Sequence, residues 1–306
     1  MRSPKQFRRL SAIAFHLFWM NDFMKQIMSA VVMSVGFMGV VFLGATSVSS
    51  RPFIQPARET PPAPTLFSQL NSKLDLSLLA KSSAVFVQSD RYRTESEIRV
   101  KATSGGTNVT SSAKVITLVQ APNQFHAEIT FPSDTGTEVK STVISDGKQV
   151  WMYRSDLKQY AVIPYEKFDD LDDYYWIGIS SYWFLSVPAD VRKPIAEGAL
   201  TDPLVLKELG INDTLPLKGS RQTLDGRSLY GYEVTDKEGF TIAALIEPTT
   251  AELKQIRLSG KSEGFKIDIA EHILTRTANP EIAASAFKFT PPPGAKLVKS
   301  VEIGPL

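Results

Sequence analysis

Two adjacent serines, Ser180 and Ser181, and two histidines, His126 and His272, are the residue types from which a nucleophile and its base could be built. Serine hydrolases of that kind raise their nucleophile on a Gly-x-Ser-x-Gly elbow, and none surrounds these serines. The third histidine, His16, lies in a segment expected to be removed. Cysteine is absent, which excludes thiol catalysis, disulfides, cysteine-ligated zinc and lipid attachment at an N-terminal cysteine. Asp169, Asp170, Asp172 and Asp173 carry charge for a cation, but calcium loops alternate their ligands around a glycine and end in glutamate. Here the acids run straight into aromatics, so they read as a solvated helix N-terminus favoured by the helix dipole. No phosphate-cradling glycine loop is present. The chain is therefore expected to be non-enzymatic, with no cofactor and no metal.

The aromatic cluster is the stronger signal. Tyr174, Tyr175, Trp176, Tyr182, Trp183 and Phe184 crowd one short stretch. Seven residues apart, Trp176 and Trp183 would share one face of a helix. Two readings stand side by side. The rings can simply pack a helical lid onto a sheet. Alternatively Trp176, Tyr182 and Trp183 line an apolar cavity together with Phe125, Ile144, Trp151 and Tyr153 of the strands. Such a cavity would take an acyl chain with no catalytic group, each buried methylene contributing about 0.8 kcal/mol.

The elements that would position these rings follow from turn-formers and periodicity. In SDGKQVWMY (145–153) the Asp146-Gly147 dipeptide predicts a tight hairpin. Ser141, Val143, Val150 and Met152 then share one face; Thr142, Ile144, Trp151 and Tyr153 share the other. Neither face is polar, whereas a surface hairpin usually has one wet face. Inward groups would be covered by helices, and outward groups by the linker, the tail or a partner. Strands are expected near 84–102, 109–119, 124–131, 138–145, 148–154, 158–163, 219–224, 227–235, 239–247, 252–260 and 264–275. Short connections make neighbours antiparallel. Residues 66–80 read as an amphipathic helix, and helical stretches are expected at 167–186, 189–197, 203–209 and 280–284. The fold class is α+β and mainly β: one strongly curved antiparallel sheet of about eleven strands, with helices packed on it.

Residues 1–50 have the order of a targeting segment: positive charge, then the apolar run Ile27–Ala45, then small residues. The run is also long enough to remain as a membrane anchor. Either way the remainder is exported. Residues 51–64, with five prolines, read as an extended linker. The whole chain carries a net charge of +2, of which the first 50 residues contribute +4, leaving −2 for the rest. With no basic stripe in the body, nucleic acid is excluded as a partner.

Three stretches resemble the periplasmic lipoprotein-carrier superfamily that includes LolA, LolB and RseB. They are Ala121-Pro122-Asn123-Gln124-Phe125 at a strand opening, Ser145-Asp146-Gly147-Lys148 followed by Trp151 and Tyr153, and Ala286-Phe287-Lys288-Phe289-Thr290-Pro291-Pro292-Pro293-Gly294 near the end. Their order and spacing agree over residues 66–303. The resemblance implies an unclosed β-barrel over residues 65–306, lidded on its concave side by a helical insertion at 166–217. It also implies a periplasmic protein that holds a lipid, an acyl chain or a lipidated protein. The alternative it implies is an envelope-stress sensing or protein-interaction domain of the RseB type, with an envelope protein as partner. Ala121 stands where the carrier has the arginine that hydrogen-bonds its lid shut, and the insertion is long. Both departures point to a relative with its own ligand or task.

Overall fold

The structure, a computed structural model, describes residues 74–304 apart from 106, 133–135, 137, 172, 203–215 and 263–264. The targeting segment, the proline-rich linker, the start of the helix expected at 66–80 and the helical stretch expected at 203–209 lie outside the described residues.

Eleven strands match the expected segments in order: β1 (Arg91–Ser104), β2 (Thr107–Gln120), β3 (Gln124–Phe131), β4 (Val139–Asp146), β5 (Gln149–Arg154), β6 (Gln159–Pro164), β7 (Leu217–Leu224), β8 (Arg227–Thr235), β9 (Thr241–Ile246), β10 (Leu253–Ser262) and β11 (Phe265–Ala278). A twelfth, β12 (Lys296–Leu297), was not expected from the sequence. All belong to one unclosed sheet of order β12-β6-β5-β4-β3-β2-β1-β11-β10-β9-β8-β7. Every pairing is antiparallel except β12 with β6, so the sheet is mixed rather than purely antiparallel. The first and last segments of the meander meet where β1 pairs with β11.

The helices are α1 (Leu76–Val87), α2 (Ile179–Ser186) and α3 (Ala189–Ala196), with 3₁₀ turns at Tyr165–Asp170, Tyr174–Ile177 and Ala199–Thr201. The Asp75 carboxylate caps α1 by accepting the Leu78 N–H at 2.9 Å. That helix runs on to Val87, so the segment 84–87 that reads as strand is helical, and β1 begins at Arg91. Packing of the helix, which buries Leu78, Ala80, Ser82 and Val87, outweighs the strand-like composition of 84–87. The helix expected at 280–284 is absent; these residues have no helical structure and lead into a turn.

The hairpin of SDGKQVWMY (145–153) forms, with its two-residue loop at Gly147-Lys148 rather than Asp146-Gly147. Ser145 pairs with Val150 and Ile144 with Trp151, so the two faces are those read from the sequence. Positive φ is needed at Gly147 alone (+94°), the pattern of a turn with glycine in its first central position. Asp146 Oδ1 closes the loop by accepting the N–H groups of Lys148 and Gln149 at 2.8 and 2.9 Å.

The inward face of β1–β5, β10 and β11 forms the main core with the segment 165–186. A second cluster of Leu78, Tyr230, Tyr232, Ile246 and Ala251 seats the start of α1 on β8 and β9. The outward face is covered over β3–β6 by residues 286–289: His126 Nδ1 lies 2.8 Å from the Ala286 carbonyl oxygen, and the Phe289 ring stacks on Trp151. The chain then crosses the β6 edge as β12 and buries Ile303 on the concave side. The tail thus explains why the hairpin needs no wet face.

Candidate functional site: the lid seam

Segment 165–186 does not form the single helix expected at 167–186. It breaks at Leu171, which is extended, and at Gly178, whose φ of +97° only glycine adopts cheaply. The heptad spacing of Trp176 and Trp183 therefore does not place them on one face. Trp176, on the 3₁₀ turn, is fully buried, while Trp183 on α2 is half-buried at the core's margin.

The seam between lid and sheet is built from rings. Phe125 and Phe131 point inward from β3, since residues six apart on a strand share a face. Phe168 tilts against Phe125 at 5.2 Å, and Trp176 meets Phe131 edge-on at 4.9 Å. Within the lid Tyr174 lies 4.8 Å from Tyr182, and Phe184 reaches Tyr92 of β1 edge-on at 4.9 Å. Burial, with Asp169 nearby, raises the Tyr165 and Tyr182 phenols well above their ordinary range.

Directional bonds also cross this seam. Thr117 Oγ1 donates to the Ile177 carbonyl at 2.7 Å. Glu271, wholly buried on β11, accepts the Ser180 N–H at 2.6 Å and the Ser180 hydroxyl at 2.9 Å. Burial pushes this carboxyl up, while the Ser180 bonds, Ser96 and the Arg276 charge pull it back. Arg276 lies over the Tyr92 and Phe86 rings, and burial lowers it to about 10. The Trp176 and Trp183 indole N–H groups and the Ser181 hydroxyl are buried without a hydrogen-bond partner among the described residues.

Of the seven residues expected to line one cavity, Phe125, Trp176 and Tyr182 meet in this seam, with Trp183 at its margin. Ile144, Trp151 and Tyr153 lie on the opposite face of the sheet, because they alternate with the inward Val143, Val150 and Met152. The seven therefore do not form one surface. Trp151 instead borders an outer cleft of about 340 Å³ with Gln124, Asp146, Phe287 and Phe289. Glu271 escaped the sequence reading although its signal was there: it takes an inward slot in the alternation Ile267, Ile269, Glu271, Ile273.

Serine and histidine are not brought together. Ser180 faces Glu271 inside the sheet, whereas His126 touches the tail outside and His272 is Glu271's neighbour on the other face. The acidic run heads no α-helix: Asp169 and Asp170 close one 3₁₀ turn, Asp173 stands at the N-cap of the next without a side-chain capping bond, and Asp172 lies outside the described residues. Asp170 pairs with Lys167 at the surface, and Asp173 accepts backbone N–H groups of Ile303 and Gly304. Among the described residues no cluster of three or more potential ligands could hold a metal, and no helix is long and apolar enough to cross a membrane.

By sequence the chain matches no family profile and no curated protein. Solved structures similar to it include an uncharacterized conserved protein from Thermus thermophilus, at 9% identity and a TM-score of 0.37 over 72% of this chain and 96% of that one. A LolA superfamily protein from Nitrosomonas europaea is similar at 6% identity and a TM-score of 0.28, over 71% and 99% of the two chains. The MucA/MucB complex of Pseudomonas aeruginosa is similar at 10% identity and a TM-score of 0.32, over 70% of this chain and 60% of that one. A LolA-superfamily protein and MucB are thus among the solved structures this chain is similar to.

Proposed function

We propose that the protein is an exported, non-catalytic binding protein of the cell envelope that takes a lipid, or the acyl chain of a lipidated protein, between lid and sheet. The carrying observation is the chemistry of the seam. It is almost wholly aromatic and aliphatic, yet among the described residues the Trp176 and Trp183 indole N–H groups and the Ser181 hydroxyl have no hydrogen-bond partner. Each such orphan costs about 1–3 kcal/mol. A lid made of two 3₁₀ turns and an eight-residue helix has little stability of its own. An acyl chain displacing the lid keeps the apolar contacts, and ester or amide oxygens near its head could satisfy the orphan donors. Phe125, Trp176, Tyr182 and Trp183 are the residues assigned to this site.

The test is to purify the protein from the envelope of an expressing bacterium, extract it with organic solvent and analyse the extract by mass spectrometry. In parallel, an environment-sensitive fatty-acid probe is titrated into the delipidated protein. Co-purified lipid and saturable probe binding are expected. A lipid-free protein that ignores the probe would count decisively against the reading.

A protein-interaction role is the second reading. Among the described residues β7 pairs only with β8, so its outer N–H and C=O groups face no other described strand. Cross-linking in cells separates the two. A single specific protein partner, retained when lid contacts are deleted, would favour this reading.

A further inference from the structure

The tail that crosses the β6 edge is held at residues 302–304 by side chains of the sheet and the lid. Arg154 of β5 is 7% exposed. Its Nε and Nη2 are held by Asp156 at 2.9 and 2.8 Å, which leaves Nη1 to donate to the Gly304 carbonyl at 2.7 Å and the Glu302 carbonyl at 3.2 Å. Ser141 Oγ of β4 donates to the Ile303 carbonyl at 2.6 Å. Asp173 accepts the N–H groups of Ile303 and, at 3.2 Å, of Gly304. Each of these five bonds reads main chain. Side chains are read at two positions only. Ile303 is 1% exposed in the main core. At Gly304 an added Cβ would lie 2.8 Å from Trp176 Nε1.

We propose that Ser141, Arg154 and Asp173 form a recognition site for an extended peptide, occupied here in cis by residues 302–304, which accepts a partner protein's segment bearing a branched aliphatic residue followed by glycine. Recognition through backbone groups with one apolar anchor is independent of the rest of the ligand's sequence. The buried Arg154 guanidinium would lose the acceptors of its Nη1 if the segment left, which is costly, so the site favours being filled by one chain or another. Residues 302–304 lie outside the strand meander and are tethered through β12, whose bonds to β6 run from the N–H groups of Lys296 and Val298 to the carbonyls of Lys158 and Tyr160, each at 2.9 Å, so exchanging the segment breaks no other strand pairing. The inference does not rest on acyl binding, although the two sites share the lid through Asp173 and Trp176.

The experiment uses a chain ending at Leu297 and a fluorescein-labelled peptide with the sequence of residues 297–306, followed by polarisation, with thermal melting as the folding control. The shortened chain should bind the peptide saturably, and the intact chain about tenfold more weakly or worse because its own tail competes. Ile303→Asp or Gly304→Val placed in the peptide, and Arg154→Met placed in the shortened chain, should each abolish binding. The peptide changes leave the protein untouched. If the shortened chain does not fold, the intact chain carrying Gly304→Val, whose tail is expelled by Trp176, takes its place. A folded chain that fails to bind, or that binds the wild-type and substituted peptides alike, overturns the proposal.

Discussion

Glu271 on β11 accepts both the backbone N–H and the hydroxyl of Ser180, the second residue of α2, from a position with no solvent contact. A carboxylate in the middle of a sheet is thereby the main polar tie between that sheet and its lid. Burial raises this carboxyl above its usual value of 4.5. A carboxyl raised on folding contributes stability that is complete below the unfolded value and is lost as pH rises through the folded one. Urea unfolding from about pH 5 to 8 should therefore show Glu271→Gln losing less stability than the wild type as pH rises. Glu271→Ala, which strands the Ser180 N–H and Arg276, should cost about 2–4 kcal/mol at every pH. Parallel pH profiles for the wild type and Glu271→Gln would show that the carboxyl does not titrate in this range.

Gly178 joins the two halves of the lid. Its φ is +97°, and an added Cβ would lie 3.1 Å from Glu271 Oε1 and 3.3 Å from Ser181 Oγ. Gly178→Ala should destabilise the protein by about 1–3 kcal/mol through backbone strain and a displaced lid. Hydrogen exchange should localise the loss to residues 174–186.

Trp176 and Trp183 should respond differently. Trp176→Ala opens a void against Phe131 and should cost about 3–5 kcal/mol in denaturant unfolding. Trp183→Phe removes an unpartnered indole N–H at the core margin and should change stability by less than about 1 kcal/mol. Trp183→Asp should weaken fatty-acid probe binding with a modest fall in melting temperature if the ring borders the acyl site. Unchanged melting with unchanged binding would place it outside both core and site.

On the outer face, Trp151 and Phe289 stack at 6.3 Å with planes 16° apart, and Tyr160 lies 5.4 Å from the same ring. Trp151→Ala should loosen residues 280–295 at a cost of about 1–2 kcal/mol. Limited proteolysis should then cut this segment first while the rest of the sheet stays protected.

Eleven of the twelve strands, their order and the two faces of the β4–β5 hairpin were legible in the sequence, while β12 and the helical start of the first expected strand were not. Alternation with period two and turn-formers are local signals, and short loops force neighbours to pair. That is why Val143, Val150 and Met152 were rightly set against Ile144, Trp151 and Tyr153. The inward slot of Glu271 was legible by the same rule, though not its partner. Ser180 lies 91 residues away, and no local pattern carries that separation.

Tertiary structure alone decided which apolar face met which cover. Phe125 and Trp151 are equally aromatic in the sequence, yet Phe168 covers one and Phe289 the other, because the sheet lies between them. The lid's breaks at Leu171 and Gly178 were likewise invisible to heptad spacing, since packing against β2 and β3 overrides helical propensity. Nothing local marks Ile303 as a core residue either. It becomes one because the tail rounds the β6 edge and finds Ser141, Arg154 and Asp173 already in position, and burial is a property of the assembled surface rather than of the segment that fills it.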